Sequence, residues 1–440
     1  MGEINPYLAA RLNQITTPIT LLIEVEPNRA DDVKRSLSQL GFTISAQSFN
    51  FLTVPNVLAA KVEVIQQIAG VVAVHFDKRV KALSLPSFLG GGGLDGEFGI
   101  DEVVAPRELL GPDLLIPFSP LRMLRMSNYT FIPNSVTKKL VVDKETDLDG
   151  SGVKVAVLDT GMISWTSPFN QFRFKPFSTS LEGFPGDGIG HGGWCETMIA
   201  GLPFPTLYGK VEGMAPRAEL YSIKVLSTLG VGSTTEVLAG MELASKLGVK
   251  IVSMSLGSEA SQGGCESDPI CKAAKILSEQ GILVIVAGGN SGPNSKTIGS
   301  PGISPHVVTV GSVSVTDRDD VSSFSSRGPT EDGLTKPDVC SYGGGNKSAD
   351  AIPSELIVSG CEGWLDPLYD GLIKGFAGLR GTSMAAPTFA GLMALVEQDR
   401  NRKGSSLRLS EVMSILAEKG SKEKSNDDGF GVARLSWFVD

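Results

Sequence analysis

Histidine is scarce in this chain, with three in 440 residues. One of them, His191, lies in "GIGHGGWCETMIAG" (188–201), followed by Cys195 four positions on and then Glu196. An i, i+4 His/Cys pair on one helix face can hold zinc if two more ligands join it. The histidine can also simply pack, or it can accept a proton. A proton acceptor needs a nucleophile and an orienting carboxylate elsewhere in the chain. Asp159 at the end of the apolar run "VAVLDTG" and Ser383 at the start of "SMAAPTFAG" are of the right types. Hydroxyl, imidazole and carboxylate together are what nucleophilic serine hydrolysis uses. A serine at a helix start faces the positive end of the dipole, which favours developing negative charge. Each residue also has an ordinary role, Ser383 as a helix cap and Asp159 in a turn. Pro387 is less ordinary: it has no N–H, so the Ser383 carbonyl loses its usual helical partner.

Strands and helices must bring such distant residues together. From about residue 136, short Val/Ile-rich runs alternate with helical patterns. "GVKVAVLDTG", "AELYSIKVL", "KIVSMSLG", "GILVIVAGGN" and "HVVTVGSV" read as parallel strands buried on both faces. "GGWCETMIAG", "STTEVLAGMELASKLG", "ICKAAKILSEQG" and "SMAAPTFAGLMALVEQDR" read as helices. The alternation predicts a doubly wound α/β domain with its ligands at the carboxyl ends of the strands. Upstream, 18–82 reads β-α-β-β-α-β, the ferredoxin-like pattern. Its strands are "ITLLIEVEP", one starting near Phe42, "QSFNFLTVP" and "VVAVHFDKRV". One helix carries Val33, Leu37 and Leu40 on a face; the other is capped by Asn56 and carries Leu58, Val62, Ile65 and Ile68. His75 has no chemical companions nearby and reads as structural. Residues 84–135, with four consecutive glycines and scattered prolines, read as a flexible connection open to proteolytic nicking. The expected division is an N-terminal extension (1–17), a small α+β domain (18–82), a Gly/Pro-rich linker (83–135) and a large α/β domain (136–440).

Composition is that of a globular protein, 41% hydrophobic and 20% charged. A net charge of −9 without a basic tract argues against nucleic acid as the main partner. No apolar run is long enough for a membrane span. "MGEINPYLAARLNQITTPIT" lacks the basic and apolar regions of a secretory signal. Five cysteines leave at least one thiol unpaired. Cys265 with Cys271, and Cys340 with Cys361, can form local disulfides, which would imply an oxidising compartment; the alternative is five reduced thiols.

"VKVAVLDTG", "GHGGWCETMIAG" and "RGTSMAAPTFAG" resemble the three signature blocks of the subtilisin-like serine proteases, in that family's Asp, His, Ser order. "GMAPRAELYSIKVL", "VSMSLGS", "VIVAGGNSGP", "SPHVVTVGSV", "FSSRGP" and "KPDV" fill the interval in family order. The resemblance covers about 140–440, and 18–82 resembles the family's propeptide by pattern and position. It implies a self-processing serine endopeptidase that acts on peptides or proteins, with its own propeptide as intramolecular inhibitor, exported from the cell and needing no cofactor. Ser383 would be the nucleophile, His191 the general base and then acid, and Asp159 the group that orients the imidazole. Asn290 would be the oxyanion-hole amide. "SLG" (Ser255, Leu256, Gly257) and "LGVG" (including Leu229, Gly230 and Gly232) would flank a bound peptide. Ala287, Gly288 and Gly289, opposite Gly299, would floor an uncharged first pocket suited to Leu, Met, Phe or Tyr. The first cut is expected in "VKALSLPSFLGGGG", after Leu83 or Leu85.

The chain departs from the family pattern at Trp194, where a second histidine usually follows the first. Cys195 falls where proteinase K-like relatives carry a cysteine, which implies a buried free thiol beneath the base. No further cysteine has zinc-knuckle spacing, so no metal is expected at His191. "LPFPTLYGKVEG" lacks the oxygen ligands of the family's calcium loop, and the acidic "DKETDLDGSG" (143–152) lacks a closing EF-hand Glu. Calcium is thus at most a stabiliser here. The insert 341–379 has no assigned role. Two rival readings remain: a catalytically silent fold of this family that only binds, and a zinc-holding structural protein.

Overall fold

The computed structural model describes residues 2–83, 129–206, 209–258, 264–317, 319–346, 348, 354–363, 375–421 and 423–440. Its N-terminal unit contains β1 (Glu3–Ile4), α1 (Pro6–Arg11), β2 (Ile19–Val25), α2 (Ala30–Gln39), β3 (Ala46–Ser48), β4 (Phe51–Val57), α3 (Val62–Gln66) and β5 (Val71–Phe76). They form one sheet in the order β1-β5-β2-β4-β3, antiparallel except where β1 joins β5. Asp31 and Asp32 sit in the first turn of α2, where the helix dipole favours them, and Gly41 ends the helix region at φ +84°.

Several expectations are corrected in this unit. The third strand is Ala46–Ser48, not a run from Phe42, because "QSFNFLTVP" breaks into a hairpin at Phe49, which adopts φ +52°. Asn56 caps no helix; it lies in β4 at φ +58°. Leu40 and Leu58 are about half exposed, whereas Val33, Leu37, Val62 and Ile65 are buried. The extension 1–17 packs as part of the unit: Leu8 belongs to its core, and β1 extends its sheet.

"VVAVHFDKRV" is likewise two strands. After β5 the chain leaves the unit and forms β6 (Arg79–Ala82), which lies between strands of the large domain. The large unit opens by Tyr129 rather than 136, with β7 (Tyr129–Pro133) and α4 (Asn134–Val141).

Next come β8 (Lys154–Asp159), β9 (Lys175–Ser178), α5 (His191–Ala200), β10 (Phe204–Thr206), β11 (Gly209–Val211), β12 (Glu219–Lys224), β13 (Val231–Ser233), α6 (Thr234–Lys246), β14 (Ile251–Met254) and β15 (Leu256–Gly257). The chain continues through α7 (Pro269–Glu279), β16 (Leu283–Ala287), β17 (Val308–Val313), β18 (Val339–Tyr342), β19 (Ser354–Gly360), β20 (Phe376–Leu379), α8 (Thr382–Arg402) and α9 (Leu409–Lys419). Seven strands make one wholly parallel sheet, β18-β17-β16-β14-β8-β12-β9. The order reverses around β8, so its carboxyl end, Asp159, lies at the switch point where doubly wound sheets gather ligands.

Alternation along β8 builds two layers. Val155 and Val157 join the core with α5 and α8, while Ala156 and Leu158 join the core with α6 and α7. Leu22 and Phe51 of the N-terminal sheet belong to that second core, so the small unit rests on α6 and α7. β19 and β20, inside the unassigned insert, form a second small sheet with β7.

Candidate active site

Asp159 ends β8, and Asp187, just before α5, gathers the turn that aims His191. Asp187 Oδ1 accepts from Thr160 Oγ1 (2.9 Å) and Gly190 N (2.8 Å), and its Oδ2 from Gly193 N (2.8 Å). Gly190 adopts φ +99°, open to glycine at little cost, and the chain turns directly into the helix. His191 Nδ1–H donates to Asp159 Oδ1 at 2.7 Å, with both side chains fully buried. Burial pushes the imidazole down, but the Asp159 charge and hydrogen bond, with Asp187 behind, outweigh it and hold His191 above its ordinary value.

Ser383 lies in the first turn of α8. Its Oγ donates to Ser255 O at 3.3 Å, and among the described residues His191 Nε2 meets no hydrogen-bond partner. The Ser383 carbonyl, freed by Pro387, accepts from Ser255 Oγ (3.0 Å) and Cys195 Sγ (3.5 Å). Two side chains thus replace the absent helical bond and join α8 to α5 and to the stretch before β15.

β6 lies antiparallel between β13 and β15, pairing Val80 with Gly232, Lys81 with Val231 and Gly257, and Ala82 with Leu256. Ala82 N donates to Gly230 O (2.9 Å), and Leu83 N to Ser255 O (3.2 Å). Asn290 Nδ2 donates to Leu83 O, while its Oδ1 accepts from Thr382 N (2.9 Å) and Thr382 Oγ1 (3.0 Å). A Cβ on Gly257 would stand 3.4 Å from the Leu83 side chain. Leu229 is half exposed beside this strand. Gly288 N bonds Val310 O, Gly289 N bonds Thr382 Oγ1, and the Ser258–Ser300 bridge joins the stretches holding Gly257 and Gly299. Ala287 ends β16, buried. Leu85 lies outside the described residues.

All five cysteines are buried and no two of them are joined, so neither anticipated disulfide is formed. Cys361 Sγ is directed at Gly190 O (3.4 Å), and a Cβ on Gly311 would stand 2.7 Å from Cys340 Sγ; the two thiols serve different contacts. The disulfide argument for an oxidising compartment falls with them. Among the described residues, Asp159, His191 and Cys195 form a cluster of metal-ligating types. Burial pushes the Cys195 thiol well above its ordinary value, and it is spent on Ser383 O, so the cluster offers a poor thiolate. In the acidic stretch, Asp147 pairs with Arg402, Asp149 with Arg217, and Asp143 with Ser436.

The Subtilase family profile matches residues 150–432. The chain belongs to the subtilase family. Serine protease AprX of Bacillus subtilis (strain 168) is 34% identical to this subtilase over 306 residues, 66% of each chain. M-protease of Shouchella clausii (strain KSM-K16) is 33% identical over 255 residues, 57% of this chain and 55% of that one. Subtilisin Savinase of Lederbergia lenta has the same identity over 57% of this chain and 78% of its own. The chain thus spans just under two thirds of the first of these relatives and about half of the second. No helix among the described residues is long and apolar enough to cross a membrane.

Thr160, Asp187 and Thr382 are not among the residues the sequence singles out for catalysis or binding, and Glu196 enters there only as the neighbour of Cys195. Thr160 follows Asp159 and Thr382 precedes Ser383, so adjacency was their only signal. Asp187 resembles any turn aspartate. Glu196 is buried in α5, where Oε2 accepts from Ile163 N (3.1 Å).

Proposed function

We propose that this subtilase is a serine endopeptidase, made as a zymogen that cuts itself after Leu83. The observation that carries this reading is the placement of Leu83: its carbonyl oxygen meets the Asn290 amide at the end of a strand held on both sides. Peptide recognition by strand addition takes this form. Residues 2–83 then act as an intramolecular inhibitor whose tail occupies the cleft as a substrate would.

In the reaction, Ser383 Oγ leaves Ser255 O, gives its proton to His191 Nε2 and attacks the carbonyl carbon. Asp159 stabilises the imidazolium, and Asn290 with the Ser383 N–H receives the oxyanion. His191 then protonates the leaving amine, and water releases the acyl group by the reverse proton path. One oxyanion donor typically contributes about 3–4 kcal/mol of barrier lowering. No step calls for a metal or cofactor. Substrates would be peptides or proteins with an apolar residue before the cut, as Leu83 sits beside Gly257. The buried Val80 and Ala82 and the exposed Arg79 and Lys81 extend that preference along the strand.

The test compares peptide hydrolysis and self-cleavage by the chain and by Ser383→Ala, each with and without chelator. Hydrolysis lost in the variant, kept with chelator, and a new amino terminus at Ser84 are expected. Hydrolysis surviving in Ser383→Ala overturns the mechanism. A terminus other than Ser84 overturns the processing site, and no hydrolysis by the parent chain favours a silent binding fold.

A further inference from the structure

Trp194 and the insert 341–379 have no place in the chemistry above, yet they meet at the turn that carries His191. Trp194 is fully buried, and its Nε1–H donates to Ala377 O of β20 at 2.9 Å. From β19's end, Cys361 Sγ donates to Gly190 O at 3.4 Å, the same carbonyl that receives Trp194 N at 3.1 Å. Gly363, at φ +147°, approaches so closely that a Cβ there would stand 2.7 Å from Gly190 N and 2.8 Å from Gly188 O.

The hairpin is itself anchored at its far end. Glu355 accepts from Ser314 Oγ (2.7 Å), Val315 N (2.7 Å) and Thr316 N (2.8 Å) on the large domain. On its flank Phe376 packs edge-to-face on Phe169, with ring centres 5.2 Å apart. Asp187 thus grips the turn 187–190 from one side, and the insert grips it from the other.

We propose that the β19–β20 hairpin braces the catalytic histidine, with Trp194 and Cys361 as positioning residues. This rests on the reading of His191 as general base. A buried indole N–H usually finds a partner wherever it packs, but packing does not require that partner to be a carbonyl of the inserted strand β20. Nor does it require a thiol and a bare glycine against the one turn that sets the direction of His191. A misplacement of about 1 Å at a reacting group can cost about a hundredfold in rate. A brace at the base should therefore act on kcat, since the peptide-binding strands β13 and β15 lie elsewhere.

The experiment uses the full chain and Trp194→Phe, Gly363→Ala, Cys361→Ala, Cys361→Ser and His191→Ala. Hydrolysis of a peptide with leucine before the cut is measured across pH. Rates are normalised to sites titrated by a serine-directed covalent reagent, and thermal melting is followed alongside. Trp194→Phe and Gly363→Ala are expected to lower kcat about tenfold or more, to leave KM within about twofold, and to displace the acid limb of the pH profile. Cys361→Ala should do the same to a smaller degree, and Cys361→Ser, which keeps a donor, should recover it. Should Trp194→Phe fail to fold, the two Cys361 variants decide. Parental kcat and pH profile in the braced-residue variants overturn the proposal, as does a loss explained by the unfolded fraction alone. His191→Ala separates the two readings: activity surviving there sinks the general-base assignment, whereas its loss beside unaffected brace variants sinks only the brace.

Discussion

Ser383 stands in a helix that cannot bond the Ser383 carbonyl, and that defect is what ties the site together. Pro387 was legible as an irregularity in the sequence, because a missing N–H is a property of one residue. The groups that fill the gap, Ser255 Oγ and Cys195 Sγ, come from segments about 130 and 190 positions away, and no local pattern announces them. The same limit hides the surroundings of Glu196, whose partner Ile163 N lies 33 positions away. Burial pushes its carboxyl well above the ordinary 4.5, despite Ser222 and the Ile163 N–H. The folded chain therefore keeps a proton that the unfolded chain releases above that value, so Glu196 costs stability as pH rises. Glu196→Gln, made in a Ser383→Ala background to prevent self-digestion, should gain on its parent by up to about 1.4 kcal/mol per pH unit over the window opening at 4.5. Melting curves at pH 4 and pH 8 check this; a gap that does not widen in the variant's favour refutes it.

Elements were read best where one residue type repeats with one period. The buried strands β8, β12, β14, β16 and β17 each lie in a short apolar run rich in Val, Ile or Leu, and the parallel sheet follows from them. β9, β18 and β20 are short and mixed, and β19, though seven residues long, holds only Leu356, Ile357 and Val358 between Glu355 and Ser359 and takes its partners from elsewhere. "VVAVHFDKRV" shows a subtler limit: its apolar pattern does not reveal that the chain changes partners after Phe76. β6 owes its order to β13 and β15, and one bond can be removed without touching a side chain in the cleft. Ala82→Pro deletes the N–H that reaches Gly230 O at 2.9 Å. Self-cleavage followed by gel electrophoresis should slow by up to about tenfold, the scale of one hydrogen bond. Matured enzyme should hydrolyse external peptides at the parental rate. An unchanged self-cleavage rate refutes a guiding role for that bond.

At the scale of the molecule, two units meet along α6 and α7 as well as in the cleft. Asp77 accepts from Thr235 N (3.0 Å) at the start of α6, where Ser233 and Glu236 already form a capping box. Glu24 reaches Lys272 on α7 (2.6 Å) and the buried His75 (3.1 Å), so His75 backs the interface through Glu24 without itself crossing it. Hydrophobic patterning does not show that residues 2–17 pack with the first unit or that β7 (Tyr129–Pro133) joins the second. Those facts depend on pairing with β5 and β19. Lys272→Glu leaves Glu24 facing a like charge in a largely dry contact and should weaken the hold on the cleaved fragment by at least about tenfold. Size-exclusion of self-cleaved protein reads this directly: the fragment should co-elute with the parent and separate from the variant. Co-elution in both would refute the role of the pair.

The order of the strands also sets a timetable. β6 is finished some 300 residues before Ser383, so a ribosome adding about 5–20 residues per second exposes the tail about 15–60 s ahead of the nucleophile. The cleft's occupant is complete before the cleft can cut. Neighbouring nascent chains are thereby spared a moment in which an open active site stands unguarded.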